Sequence, residues 1–108
     1  FTFLLTADVD REIEQRMLHQ QVPLRATLLK VGHHGAATST GDALVEAVNP
    51  QLALISVGKD NSFGHPDPEV VNRLGETGSL VYRTDQQGTI EIVSDGSRLW
   101  IDSYAMLY

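Results

Sequence analysis

Cysteine is absent from this chain of 108 residues, which excludes both a disulfide framework and a thiolate metal site. Any metal would have to be held by His and Asp. Long hydrophobic runs are also missing. The longest, such as Leu52–Val57, fall far short of the roughly 20 residues that cross a bilayer, and the opening residues show no signal-peptide pattern. Positive charge is scarce: 8 Lys and Arg against 14 Asp and Glu leave a formal net charge of −6. That balance argues against a broad electrostatic clamp on nucleic acid, although not against a nuclease whose contact with phosphate is carried by metal ions. There is no internal repeat, low-complexity segment or linker. What remains, 42% hydrophobic and 20% charged, is the composition of one ordinary globular domain with a real but small core. Phe1-Thr-Phe-Leu-Leu begins directly in strand-like sequence, which suggests a piece of a longer protein.

The rest of the chain is organised around Ala26-Thr-Leu-Leu-Lys-Val-Gly-His-His-Gly35. Leu28, Leu29 and Val31 suit a short buried strand, and the run stops at Gly32 before two adjacent histidines. Upstream, Phe1–Thr6 reads as a strand. Asp10 suits the N-cap of a helix with Ile13, Met17 and Leu18 on its apolar face and Glu12, Glu14, Arg16 and His19 on its polar one. Arg25–Val31 is the second strand. Beyond the histidines, Ser39 and Asp42 resemble a capping box for a helix with the stripe Ala43, Leu44, Ala47 and Val48. Leu52–Val57 is the third strand, nearly all apolar and so covered on both faces. Asp67 and Pro68 open a further helix with Val70, Val71 and Leu74 on its buried face. Leu80–Thr84, Thr89–Ser94 and Arg98–Tyr104 are three more strands, the last two joined by the hairpin signal Asp95-Gly96. This order predicts an α/β fold with right-handed crossovers, a parallel core, and a mixed sheet with helices mainly on one face. The other face should be apolar.

Asp8 follows the first strand, His33 and His34 the second, and His65 the third. In a parallel sheet those strand ends share one edge, so the four residues should gather there. Carboxylate and imidazole donors with open positions suit zinc or manganese in hydrolytic sites. Each residue also has a plainer reading: Asp8 as a helix-capping acid, His33 and His34 as solvated residues of a polar turn, His65 as a loop histidine before proline.

Several ordered motifs then carry a resemblance that covers Leu4 to about Ile101. They are Leu4-Leu-Thr-Ala-Asp8, Leu29-Lys-Val-Gly-His-His-Gly35, Ile55-Ser-Val-Gly58, Asn61-Ser-Phe-Gly-His-Pro66 and Val81-Tyr-Arg-Thr-Asp85. Together they resemble the metallo-β-lactamase superfamily, and most closely the carboxyl-terminal domain of ComEC-type DNA-uptake channel proteins. The chain departs from the family where Ala7 replaces Gly, Ala36 replaces Ser and Asp67 replaces a frequent second His. The resemblance implies an αββα sandwich of two similar halves with two divalent metal ions, zinc or manganese, between them. Residues 1–108 correspond to the carboxyl-terminal half, and the His-x-His-x-Asp-His motif of the amino-terminal half is absent from them.

Carried over residue by residue, the resemblance implies that Asp8 bridges the metals and His34 binds one of them. It places His33 against the substrate phosphate, and His65 either near the leaving group or behind the metal ligands. The implied reaction is metal-dependent phosphodiester hydrolysis of single-stranded DNA during natural transformation, in a soluble domain of a bacterial inner-membrane protein. The implied partners are single-stranded DNA, the missing amino-terminal half and the membrane-channel portion of the parent. A homodimer through the exposed sheet face is a further option. By itself the chain is expected to hold metal weakly or not at all, since two ligands make a poor binuclear site. Two other readings stand beside this one: an inactive remnant that binds DNA or a channel partner, and a metallo-hydrolase of small substrates.

Overall fold

Short apolar runs alternating with amphipathic stretches can satisfy their backbone and bury their side chains by stacking strands in parallel and laying the intervening helices across them. The computed structural model, which describes residues 1–104, has this form. Strands β1 (Phe3–Leu5), β2 (Leu28–Lys30), β3 (Leu52–Ile55) and β4 (Leu80–Arg83) pair in chain order, all parallel. Helices α1 (Arg11–His19), α2 (Asp42–Val48) and α3 (Pro68–Glu76) fill the three crossovers. One helical turn, α4 (Thr84–Gln87), leads to an antiparallel hairpin of β5 (Thr89–Ser94) and β6 (Leu99–Tyr104). The parallel and antiparallel pairing expected of a mixed sheet is thus divided between two sheets. No helix among the described residues is long and apolar enough to cross a membrane.

Alternation along the strands separates two faces. Leu4, Leu29, Ala53 and Val81 lie in register on one of them and belong to or pack against the core. Leu18 of α1, Leu44, Val45 and Val48 of α2, and Val70 and Leu74 of α3 join the same cluster, so the three helices cover this face. The opposite face carries Phe3, Leu28, Leu52 and Leu80 in one row and Leu5, Lys30, Leu54 and Tyr82 in the next. Its margins are open: Leu5 is 68% exposed and Leu80 61%.

Two helix ends form as their residues dictate. Asp10 accepts a hydrogen bond from Ile13 N at 3.0 Å, and Asp67 accepts one from Glu69 N at 2.9 Å with Pro68 in the first turn. The start of α2 differs from the capping box expected of Ser39 and Asp42. Gly41 is the N-cap, Ser39 is buried with its hydroxyl donating to Val9 O at 2.6 Å, and Asp42 pairs with Arg73 of α3. The reason is Glu14. Expected on the polar face of α1, it is instead buried, and its carboxylate accepts from Thr40 N at 2.5 Å and Gly41 N at 2.9 Å. A carboxylate from another helix thereby holds the segment just before α2, where a local capping box was expected. Ile13, placed on the apolar face by spacing, is exposed, because the buried side of α1 runs through Glu14, Met17 and Leu18. In α2 the buried stripe is Leu44, Val45 and Val48, while Ala43 and Ala47 face outward.

Removing the Glu14 carboxylate would strand two N–H groups, one of them buried, that now donate to a charged acceptor. Glu14→Ala should therefore lower stability by about 3 kcal/mol, read as a shift of the urea midpoint. An unchanged midpoint would show that water replaces the carboxylate without loss.

Candidate functional site

The loops leaving β1, β2 and β3 converge at the carboxyl edge of the parallel sheet, and backbone bonds between them set their spacing. Buried Thr6 donates through Oγ1 to Lys30 O at 2.8 Å, and His33 N donates to Ala7 O at 2.8 Å. Exposed Asp8 therefore sits one residue from a direct backbone contact with the histidine pair. Within the Gly32–Gly35 turn, His33 (φ 50°, ψ 44°) and His34 (φ 57°, ψ 24°) both occupy the left-handed region, which side-chain-bearing residues seldom adopt in succession. Such strain persists only where the surroundings impose it, and it collects at functional sites. Here Gly32 N donates to Thr40 Oγ1 at 3.3 Å and Ala36 N to His33 O at 3.0 Å.

The third loop is brought in through Gly35. A Cβ there would lie 2.5 Å from Pro66 Cβ and 3.0 Å from its Cα, and the residue has φ +83°. Only glycine satisfies both conditions. Pro66, after a cis peptide bond, thus packs directly on the turn, and Asp67 N donates to Gly35 O at 2.8 Å. The consequence is a row of rings. The centroids of His33 and His34 are 6.3 Å apart, and those of His33 and His65 are 6.0 Å apart. Phe63 stacks on His65 at 5.8 Å with an interplanar angle of 17°.

His34 is oriented by a further contact, its Nδ1 lying 2.7 Å from Ser56 O. A carbonyl can only accept, so Nδ1 carries the proton and the lone pair of the neutral ring resides on Nε2. A metal-ligating histidine is held in this way by its second nitrogen. The donor chemistry of Asp8 and His34 suits a divalent ion, but their number does not. Among the described residues, no group of three or more His, Asp or Glu side chains is placed to hold a metal. A pair of metal ions does not fit the donors of this chain alone.

Four other residues shape the same edge, and spacing assigned them no role. Asn61 donates through Nδ2 to Gly58 O and His65 O, and accepts through Oδ1 from Phe63 N and His65 N. Thr84 Oγ1 donates to Val57 O at 2.9 Å and accepts from Val57 N at 2.8 Å, joining β4 to the end of β3. Arg83 and Asp85 form a two-point ion pair, Nε to Oδ1 at 3.0 Å and Nη2 to Oδ2 at 2.7 Å. All four fall in the motifs Asn61-Ser-Phe-Gly-His-Pro66 and Val81-Tyr-Arg-Thr-Asp85, so the signal lay in the motif and its meaning in the contacts. A separate cavity lined by Thr2, Arg25, Asn49 and Gln51 opens at the amino-terminal edge, away from the histidines.

The fold and this edge define an α/β domain whose polar chemistry is collected where three parallel strands end. Comparison with known proteins finds relatives in several bacteria, among them one named a competence protein and one named a recombination protein. The chain is 40% identical over 90 residues to ComE operon protein 3 of Bacillus subtilis, a match covering 83% of this chain and 12% of that protein. It is 34% identical over 89 residues to competence protein ComA of Neisseria gonorrhoeae, covering 82% of this chain and 13% of the relative. With recombination protein 2 of Haemophilus influenzae the identity is 35% over 89 residues, 82% of this chain and 11% of the relative. The chain thus spans about an eighth of the length of these curated relatives. No family model matches it, and no solved structure does.

Because Gly35 holds two loops together, Gly35→Ala should act on the site as well as on stability. A loss of about 2 kcal/mol is expected from the clash and the left-handed backbone. It should come with displaced imidazole resonances of His33 and His65 in NMR spectra of the folded variant. Wild-type spectra and an unshifted melting temperature would show that Pro66 moves aside freely.

Proposed function

We propose that this chain is one part of a metal-dependent phosphodiesterase or nuclease domain that acts on single-stranded DNA during natural transformation. The observation that carries the reading is the oriented imidazole of His34, with Asp8, His33 and His65 on adjoining loops of the same edge. The names of the relatives, which include competence and recombination, supply the biological setting. The motif resemblance to the metallo-β-lactamase superfamily supports the same reading. Asp8 and His34 would hold metal together with donors from outside this chain, and bound metal would supply an activated water and charge neutralisation at phosphorus. His33, exposed and with its ring centroid 6.0 Å from that of His65, would donate a hydrogen bond to a phosphate oxygen. His65, held by the Asn61 contacts to its backbone, would face the leaving group and protonate it.

The exposed margins of the apolar sheet face belong to the same reading. Phe3, Leu5 and Leu80 are exposed on it, and we assign its cover to the amino-terminal half of the domain, the source of the remaining ligands. A second copy of this chain is the competing occupant. The parent protein would be a membrane channel to which this domain is attached. The alternative, an inactive remnant that binds DNA or a channel partner, is favoured by one observation: the small number of donors among the described residues.

A cleavage assay on end-labelled single-stranded DNA with added Mn²⁺ or Zn²⁺ separates the readings when this chain and the full-length parent are run side by side. The parent should cleave and the chain alone should not. In the parent, Asp8→Ala should abolish cleavage. His34→Ala should weaken metal binding at least about tenfold. His65→Ala should lower kcat about 100-fold with metal affinity kept. Robust cleavage by the chain alone would defeat the argument from ligand number. Parental activity untouched by Asp8→Ala would remove that residue from the site, and an inert parent would favour the remnant.

A further inference from the structure

Phe63 is 78% exposed, the most exposed of the large apolar side chains among the described residues. A solitary surface phenylalanine needs no explanation. This one differs in two respects. Its ring stacks on His65 at 5.8 Å and 17°, so it extends the ring series His34, His33, His65 outward from the strand ends. Its backbone is held rather than loose: Phe63 N donates to Asn61 Oδ1 at 3.1 Å, and Asn61 also binds Gly58 O at 3.0 Å and His65 O at 2.7 Å.

A rigid, solvent-facing aromatic ring beside a proposed phosphate site has the form of a stacking platform. Bases of a single strand expose their π-faces, and aromatic stacking is a principal way proteins hold such strands irrespective of sequence. The charge of the chain makes this contribution more important. At a formal net charge of −6, it has little attraction for a polyanion to offer in general, so affinity must come from contacts that do not rely on charge. We propose that Phe63 is a stacking platform for the nucleobase next to the phosphate that His33 and His65 address. The assignment rests on the phosphodiesterase reading for its substrate class and deepens it. It also implies a preference for single strands, since a paired base within a duplex does not offer its face.

The test is binding, which is independent of hydrolysis. Fluorescein-labelled oligothymidylate and an abasic strand of equal length and charge are titrated by anisotropy against the wild-type protein, Phe63→Ala and Phe63→Trp. Phe63→Ala should lose about tenfold in affinity for oligothymidylate, while Phe63→Trp retains it and all three proteins bind the abasic strand alike. The new indole should be quenched by oligothymidylate and not by the abasic strand, with wild-type emission from Trp100 as the reference. Bromodeoxyuridine in the strand should photocrosslink to residue 63. Equal affinity of wild-type and Phe63→Ala for oligothymidylate would overturn the platform and leave the hydrolase reading in place. An equal loss for both strands would make Phe63 a mere shaper of the loop and overturn the platform as well. If the wild type binds neither strand, both proposals fall, and the exposed ring belongs to a protein contact. Stacking without cleavage would support the platform and remove the hydrolytic step.

Discussion

The carboxylate of Glu14 is buried between α1 and the segment that follows the histidine turn, and it accepts hydrogen bonds from Thr40 N and Gly41 N. An uncompensated carboxylate at this depth would be costly, so the segment and the helix are placed together or neither is stable. Other contacts meet at the same point. Arg73 of α3 donates to Thr40 O at 2.8 Å and pairs with Asp42, Ser39 ties the segment to Val9, and Thr40 Oγ1 accepts from Gly32 N. Residues 39–42 therefore join α1, α3, the loop between β1 and α1, and the start of the histidine turn. The left-handed backbone of His33 and His34 is held because its flanks are held.

From that joint the site follows by short steps. The turn presents its two imidazoles at the strand ends, and Gly35 admits Pro66 against its backbone. Pro66 carries the Asn61–His65 loop with it, so His65 and Phe63 arrive beside His33. Ser56, at the end of β3, fixes the His34 ring by its carbonyl. Rigid parallel strands thus supply the positions, and loops tied to one another by backbone hydrogen bonds supply the reactive groups. The same sheet leaves an apolar face with exposed margins, so the features that orient the site and those that call for a covering layer are properties of one four-stranded element.

Local sequence sufficed for much of this. Short apolar runs and helical stripes opened by Asp10 and Asp67-Pro68 determined the order of strands and helices, because each depends on residues a few positions apart. That the loops bearing Asp8, His33, His34 and His65 leave the sheet at one edge also followed, since parallel strands in succession must end on the same side. Tertiary structure decided what depends on partners distant in the chain. Glu14 looked like a surface charge because its two hydrogen-bond donors lie 26 and 27 residues away. Ser39 looked like an N-cap because nothing local reveals that Val9 O claims its hydroxyl. Gly35 read only as the end of the histidine motif, whereas its lack of a side chain is what lets Pro66 approach. Phe63 read as one residue of a motif until its ring was seen lying on His65 in the open. Periodicity and capping are short-range and can be read along a chain; desolvation, close approach and ring stacking exist only once distant segments share a volume.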